Sequence, residues 1–205
     1  QGETATLPNK IFTFLASGIM FALFFGLIFN WEAVPFLFAA LLFHESGHML
    51  GMVLFDFENR QILFIPPFGP VAIGKRHDAK AWQWLIILLL GPLPGILLGA
   101  VLWYVYLVWM PLDWILESAV ILFVLNLFNL LPFTPLDGGR IIELLYLNRH
   151  PRLQLVFSGV SVAAFAVGGY WFGDFILWGL AALFGWFLVK RIKSRKNLEP
   201  QLDRN

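Results

Sequence analysis

Six long apolar runs constrain the fold of this chain more than any other feature. A helix needs about 20 apolar residues to cross the hydrocarbon core of a bilayer. The sequence is 59% hydrophobic and only 13% charged. It therefore predicts an all-α polytopic membrane protein, in which residues 1–205 form one transmembrane domain. Its six predicted spans cover residues 11–29, 33–55, 84–110, 114–131, 153–171 and 175–189.

The distribution of charge predicts how these spans are oriented. With six crossings, all fourteen Lys and Arg residues fall on one side of the membrane, many of them in the basic tail 190–205. The opposite side carries acidic side chains: Glu32, Asp113, Glu117 and Asp174. Basic residues mark the cytoplasmic side of a membrane protein. Both termini are therefore predicted to be cytoplasmic.

The second apolar run contains His44-Glu45-Ser46-Gly47-His48. Residues four apart share one face of a helix, so the two imidazoles point to one place and Glu45 can reach a water bound there. This pattern is typical of two zinc ligands and a general base. A charge at the centre of a span costs about 2.5–3.5 kcal/mol on insertion scales, and a zinc ion would justify that cost. The alternatives are a solvated helix face and a proton-relay or ion site of a transporter.

A third zinc ligand is expected, since a catalytic site usually has three protein ligands. The chain has no cysteine, and His77 and His150 lie in predicted loops, so a carboxylate is favoured. Asp137 is the main candidate because prolines and glycines around it prevent regular helix, and because it follows the cytoplasmic end of span four, toward the same membrane face as His48. Glu143 is the rival, although we expect it to lie on the solvated face of an amphipathic helix. Asp137 could alternatively be a helix N-cap, which is compatible with ligation.

Two stretches interrupt the helical pattern. Residues 60–74 are apolar but broken by Pro and Gly, which predicts a short membrane-associated β-hairpin between helices two and three. Its strands are expected at 61–65 and 71–73, and the alternative is an ordinary cytoplasmic loop. In the third span, Gly91-Pro92-Leu93-Pro94-Gly95 predicts a kink or local unwinding. We favour helix packing over a direct catalytic role for that kink.

Two of these motifs together resemble the site-2 protease family of intramembrane zinc metalloproteases. The first is the His44–His48 pentapeptide. The second, N-x-x-P-x-x-x-L-D-G, is matched at every fixed position by Asn129, Pro132, Leu136, Asp137 and Gly138. The similarity covers most of the core 33–140 and is closest to the compact six-span bacterial type. The hairpin turn departs from many relatives, which have a second glycine there, and no PDZ or CBS domain is visible.

The resemblance implies the site residues and the activity. His44, His48 and Asp137 would bind one zinc ion, with Glu45 as the base. Expected substrate-binding residues are Asn129, Asn126, Phe68 and Gly69. The substrate would be a membrane-anchored protein cut within or near its transmembrane segment in a bacterial cell membrane, without nucleic acid. The oligomeric state is left open.

The hairpin also predicts how the substrate is held. A transmembrane helix hides its amides in its own hydrogen bonds, so it must unwind before cleavage. We expect the freed strand to add to an edge of the hairpin, and Leu63→Pro to abolish cleavage. The alternative function is a non-proteolytic transporter or scaffold with a structural zinc site.

Overall fold

The computed structural model describes residues 7–28, 31–65, 69–76, 78–134, 136–147, 150–173 and 175–202. They divide between two compact units, residues 1–130 and 131–205. The first unit contains α1 (Leu7–Ile28), α2 (Val34–Leu54), β1 (Glu58–Ile65), β2 (Gly69–Lys75), α3 (Ala81–Leu90), α4 (Pro92–Val108) and α5 (Asp113–Asn129). The second contains α6 (Asp137–Ile142), a π-helical turn (Glu143–Leu147), α7 (Pro151–Phe172) and α8 (Phe175–Leu202).

The chain is mostly helical, as predicted. Four of its segments are long and apolar enough to cross a membrane. These segments are Leu7–Leu27, Val34–Leu54, Ala81–Val108 and Arg152–Trp171. Two shorter helical segments fall where the remaining spans are predicted: α5, with 17 residues, and the apolar stretch Leu177–Lys190. Six spans therefore stay a prediction.

The third predicted span is divided into α3 and α4 at Gly91. Pro92 and Pro94 have no N–H, so the carbonyls of Leu88 and Leu90 cannot receive the usual hydrogen bond from the residue four positions on. The ladder is interrupted at this point, and Gly91 turns with φ −65° and ψ −69°. The predicted kink in this span is confirmed.

The predicted β-hairpin is confirmed as an antiparallel pair of strands. Both strands are longer than expected, since Glu58 pairs with Lys75 at one end, and Pro70 and Gly69 pair with Phe64 and Ile65 at the other. Leu63 lies opposite Val71 and Ile62 lies opposite Ala72. Residues 66–68 of the predicted turn lie outside the described residues.

The hairpin is fixed to the helices of its own unit. On the α1 side, the N–H of Phe64 donates to Oγ of Ser17 at 3.1 Å. At the base of the hairpin, Arg76 donates to the carbonyl of Phe55 and pairs with Asp78 at 3.0 Å. The hydrogen bond with Asp78 raises the pKa of Arg76. An apolar cluster joins α2, the hairpin and α3, and consists of Met52, Phe57 and Ile87 with Ala72 and Trp84 packed against it.

The second unit holds the predicted Asp137 loop and the last two long helices. α7 and α8 pack through aromatic side chains, with the ring centroids of Phe165 and Phe184 4.9 Å apart. Thr134, in the loop before α6, donates to Oγ of Ser158 on α7 at 3.2 Å. The amphipathic helix expected around Glu143 is a π-helical turn that follows α6 directly.

Candidate metal centre

Helix α2 brings three titratable side chains to one buried position. Their exposed fractions are only 2% for His44, 8% for Glu45 and 7% for His48. These polar side chains are thus buried in a helix that is otherwise apolar and long enough to cross a membrane. Ser46, between them, is exposed. His44, Glu45 and His48 therefore lie on the buried side of α2, and Ser46 lies on its exposed side.

The two imidazoles point their Nε2 atoms at each other. These atoms lie 3.1 Å apart, and the ring planes are nearly perpendicular at 83°. A tetrahedral zinc ion with ligands at about 2.0–2.1 Å separates two ligand nitrogens by roughly 3.3 Å. The observed distance is close to that value, so the pair fits a shared metal ion.

Asn126 fixes the orientation of His44. Its side chain is fully buried, and its Nδ2 donates to the carbonyl of Leu122 at 2.7 Å. Its Oδ1 therefore faces His44 and accepts from Nδ1 at 2.8 Å. Because Nδ1 carries the hydrogen, Nε2 has the lone pair that a metal ion would bind.

His48 is fixed in the same way by main chain. Its Nδ1 donates to the carbonyl of Ile87 at 2.7 Å. Ile87 lies in the last turn of α3, where carbonyls have no helical donor and need another partner. The Nε2 of His48 is thus also an acceptor. Two acceptor nitrogens 3.1 Å apart repel each other unless a proton or a metal ion lies between them.

Three glycines make room for these side chains. A Cβ at Gly91 would lie 2.4 Å from Nε2 of His48, and one at Gly95 would lie 2.2 Å from Nδ2 of Asn126. A Cβ at Gly47 would lie 1.9 Å from the carbonyl oxygen of Leu90. The kink of the third span therefore packs closely around the histidines and Asn126. The sequence predicts the kink, but it does not predict this role.

Glu45 has its two carboxylate oxygens in different environments. Oε2 accepts the main-chain N–H of Ala72, in β2, at 2.7 Å. Oε1 lies 3.9 Å from Nε2 of His44. One oxygen is thus turned toward the ligand atoms and the other toward the hairpin.

Asp137 lies in the second unit. It is buried, 6% exposed, and stands in the first turn of α6. The N-cap residue is Leu136, so the alternative that Asp137 is itself the N-cap is wrong. The preceding loop is tight, because a Cβ at Gly139 would lie 2.3 Å from the carbonyl carbon of Phe133. A carboxylate in the first turn is favoured by the helix dipole, and its role as a ligand stays a prediction.

The predicted substrate-binding residues have separate environments. Asn129 is half-buried and donates to the carbonyl of Leu125 at 3.1 Å. Gly69 begins β2 and lies opposite Ile65. Phe68 lies outside the described residues. Asn126 uses both ends of its amide inside the protein, as described above, and contact of any of the four with a substrate stays a prediction.

The fold is that of a site-2 protease. The solved structure of Site-2 Protease from Methanocaldococcus jannaschii matches it with a TM-score of 0.63 and 22% sequence identity. The match covers 89% of this chain and 87% of that one. The resemblance predicted from the two motifs is therefore confirmed in the fold.

A curated relative matches part of the sequence. "Stage IV sporulation protein FB" of Bacillus subtilis (strain 168) is 28% identical over 131 residues. The match covers 58% of this chain, and the chain spans only 42% of the relative's length. No family model matches the chain.

Proposed function

We propose that this protein is a zinc-dependent intramembrane endopeptidase of the site-2 protease type. It would hydrolyse peptide bonds within or near the transmembrane segments of membrane-anchored proteins. The observation that carries the proposal is the buried pair of Nε2 atoms, 3.1 Å apart beside the Glu45 carboxylate. The site-2 protease fold and the sporulation-protein relative support it.

The ligands of one zinc ion would be Nε2 of His44, Nε2 of His48 and the carboxylate of Asp137. Each of these buried residues offers one ligand atom. Two imidazoles, a carboxylate and one open position make up a common donor set of catalytic zinc. The open position is what distinguishes a hydrolytic zinc from a closed structural one.

When bound, zinc supplies Lewis acidity, which polarises the scissile carbonyl and lowers the pKa of water. Glu45 is the proton carrier: its Oε1 accepts a proton from the attacking water and returns it to the leaving amine. Asn126 and the Ile87 carbonyl hold the two imidazoles in the tautomer with Nε2 unprotonated. Burial of all three α2 side chains keeps bulk water away from the reacting atoms.

Substrate would reach the site as an extended strand. An unwound segment can add to a free edge of a sheet through main-chain hydrogen bonds. The outer N–H of β1 at Phe64 donates to Ser17 and that of β2 at Ala72 donates to Glu45, so the strand would add to an edge by displacing one of these two contacts. Asn129, Phe68 and Gly69 are the proposed contacts, whereas the buried amide of Asn126 is engaged by His44 and Leu122. The protein would lie in a bacterial cell membrane with both termini in the cytoplasm.

Replacement of the base tests this function. Glu45→Gln keeps the size of the side chain and an oxygen acceptor for the Ala72 N–H, but it cannot accept a proton from water. We expect the rate of cleavage of a fusion protein with one Gly- and Pro-containing transmembrane helix to fall by about 10²–10⁴-fold. Zinc content, measured by metal analysis, should be unchanged.

The controls separate catalysis from metal loss. His44→Ala should lose both zinc and cleavage, whereas Ser46→Ala, on the exposed face of α2, should keep both. Near wild-type cleavage by Glu45→Gln would contradict the proposal and favour a transporter or scaffold with structural zinc.

A further inference from the structure

The second oxygen of Glu45 is bound by main chain of the hairpin, and this contact has a consequence for the base. Oε2 accepts the Ala72 N–H at 2.7 Å, while Oε1 lies on the His44 side. Without a partner for Oε2, the carboxylate could turn about its terminal torsion, which has a broad energy profile. The hydrogen bond restricts that rotation.

Strand geometry explains why Ala72 is the donor. Successive N–H groups of a strand point to opposite sides, so alternate residues face the partner strand and the outer edge. Ala72 faces outward, toward α2, and Val71 therefore faces β1. The hairpin ladder does not use the Ala72 N–H, which is left free to hold a side chain.

The strand that carries this donor is itself held firmly. Ala72 packs against the cluster of Met52, Phe57 and Ile87, and Ile87 is the residue whose carbonyl holds His48. A Cβ at Gly74 would lie 2.9 Å from Sδ of Met52, so β2 approaches α2 closely. The donor to Glu45 and the acceptor from His48 are thus fixed by one apolar cluster.

We propose that the main-chain N–H of Ala72 is a positioning group for Glu45, so that β2 of the hairpin is part of the catalytic apparatus as well as a platform for substrate. The inference rests on the proposed function, since it assigns Glu45 as the base. It predicts that loss of this single N–H disorients the carboxylate while the hairpin and the zinc ligands stay in place.

An amide-to-ester replacement tests the proposal directly. Incorporation of lactic acid at position 72 removes the N–H and keeps the methyl group. The matched control is the hydroxy-acid analogue of valine at position 71, which removes an N–H that faces β1 in the same strand. The ester at position 71 removes a donor of the hairpin ladder, whereas the ester at position 72 removes the donor to Glu45 and no donor of the ladder.

The first measurement needs no turnover. The carboxylate stretching band of Glu45 is isolated by infrared difference spectra between the protein and its Glu45→Gln variant, both labelled with ¹³C-glutamate. We expect this band to shift in the ester at position 72 and to stay in place in the ester at position 71. An unchanged band at position 72 would overturn the proposal.

The second measurement separates positioning from substrate binding. With the fusion protein described above, we expect the ester at position 72 to lower kcat by about 10–100-fold, with KM and zinc content unchanged. A raised KM with unchanged kcat would assign the N–H to the substrate strand and overturn the inference. Full activity of Glu45→Gln would refute the proposed function itself, so the two failures are distinguishable.

Discussion

At the scale of single residues, the proposed metal centre depends on side chains that are not themselves proposed ligands. His44, Glu45 and His48 follow from their one-turn spacing, and the sequence predicts them as a group. Asn126 was expected to contact substrate, but the structure shows it bound to His44, 82 positions away in the chain. No periodicity connects two residues so far apart, so only packing could reveal the pair.

Asn126→Leu should weaken zinc binding. The variant has nearly the same volume but leaves Nδ1 of His44 buried without its acceptor. Loss of such an outer hydrogen bond typically costs about 10–100-fold in metal affinity or activity. Competition with a chelator of known affinity measures the change.

Asn126→Asp is the matched variant, because it retains an oxygen that can accept from Nδ1 of His44. It should bind zinc more tightly than Asn126→Leu. Equal affinity of Asn126→Leu and the unmodified protein would show that this hydrogen bond does not position the ligand.

Gly91→Ala should displace His48. A Cβ there would lie 2.3 Å from Cε1 of the imidazole, well inside any real contact, and the ring cannot move without losing the Ile87 carbonyl. We expect loss of zinc and a lower thermal midpoint. Metal analysis and a melting curve in detergent measure the two effects.

Gly179→Ala provides the comparison, since a Cβ at that position in α8 meets nothing within 4 Å. It should keep both zinc and the melting temperature. If Gly91→Ala behaved in the same way, the close approach at Gly91 would have no structural importance.

At the scale of elements, the hairpin and the kink were both predictable from proline and glycine. The contacts that these two elements make with the histidines and Glu45 were not predictable in this way. The predicted test Leu63→Pro cannot separate substrate binding from hairpin stability, because Leu63 lies opposite Val71 and faces the partner strand. A proline there would break the hairpin itself and could not show which edge receives the substrate. Each outer edge already carries a side-chain contact, Phe64 with Ser17 and Ala72 with Glu45, and neither contact has a sequence signature.

The substrate provides a cleaner test of strand presentation. Replacing Gly and Pro residues near the cut site by Leu strengthens the substrate helix, because Gly and Pro cost about 1 and 3 kcal/mol in a helix interior. Cleavage should therefore slow, as unwinding becomes harder. The same replacements two turns from the cut site serve as the control, and quantified product on gels gives the rate. Equal rates for all these substrates would argue against unwinding before cleavage.

At the scale of the whole molecule, the number of spans depends on the bilayer as well as the chain. Four segments have ordinary spanning length, whereas α5 has 17 residues. A short helix can cross where the bilayer thins locally or where flanking residues extend to the interface. The six-span prediction depends on the side of the membrane where each charged residue falls. Helix length alone carries no information about that side.

Cysteine labelling tests this topology, and the absence of native cysteine gives a clean background. Lys80→Cys and Lys196→Cys should react with a membrane-impermeant reagent only after the cytoplasmic face is exposed. Asp113→Cys should react in intact cells, because positive charge is retained inside. The cysteine-free parent controls for other reactive groups. The reverse pattern would invert the proposed orientation.

The tight approach of Gly47 to α3 limits how anything can enter the site. A single methyl at Gly47 would overlap the Leu90 carbonyl, and one at Gly51 would lie 3.1 Å from Cα of Ile87. Helices α2 and α3 therefore touch main chain to main chain on both sides of His48. Opening a lateral gate along this seam would separate the Ile87 carbonyl from the imidazole that it holds. A substrate helix arriving from the lipid must consequently use another face of α2.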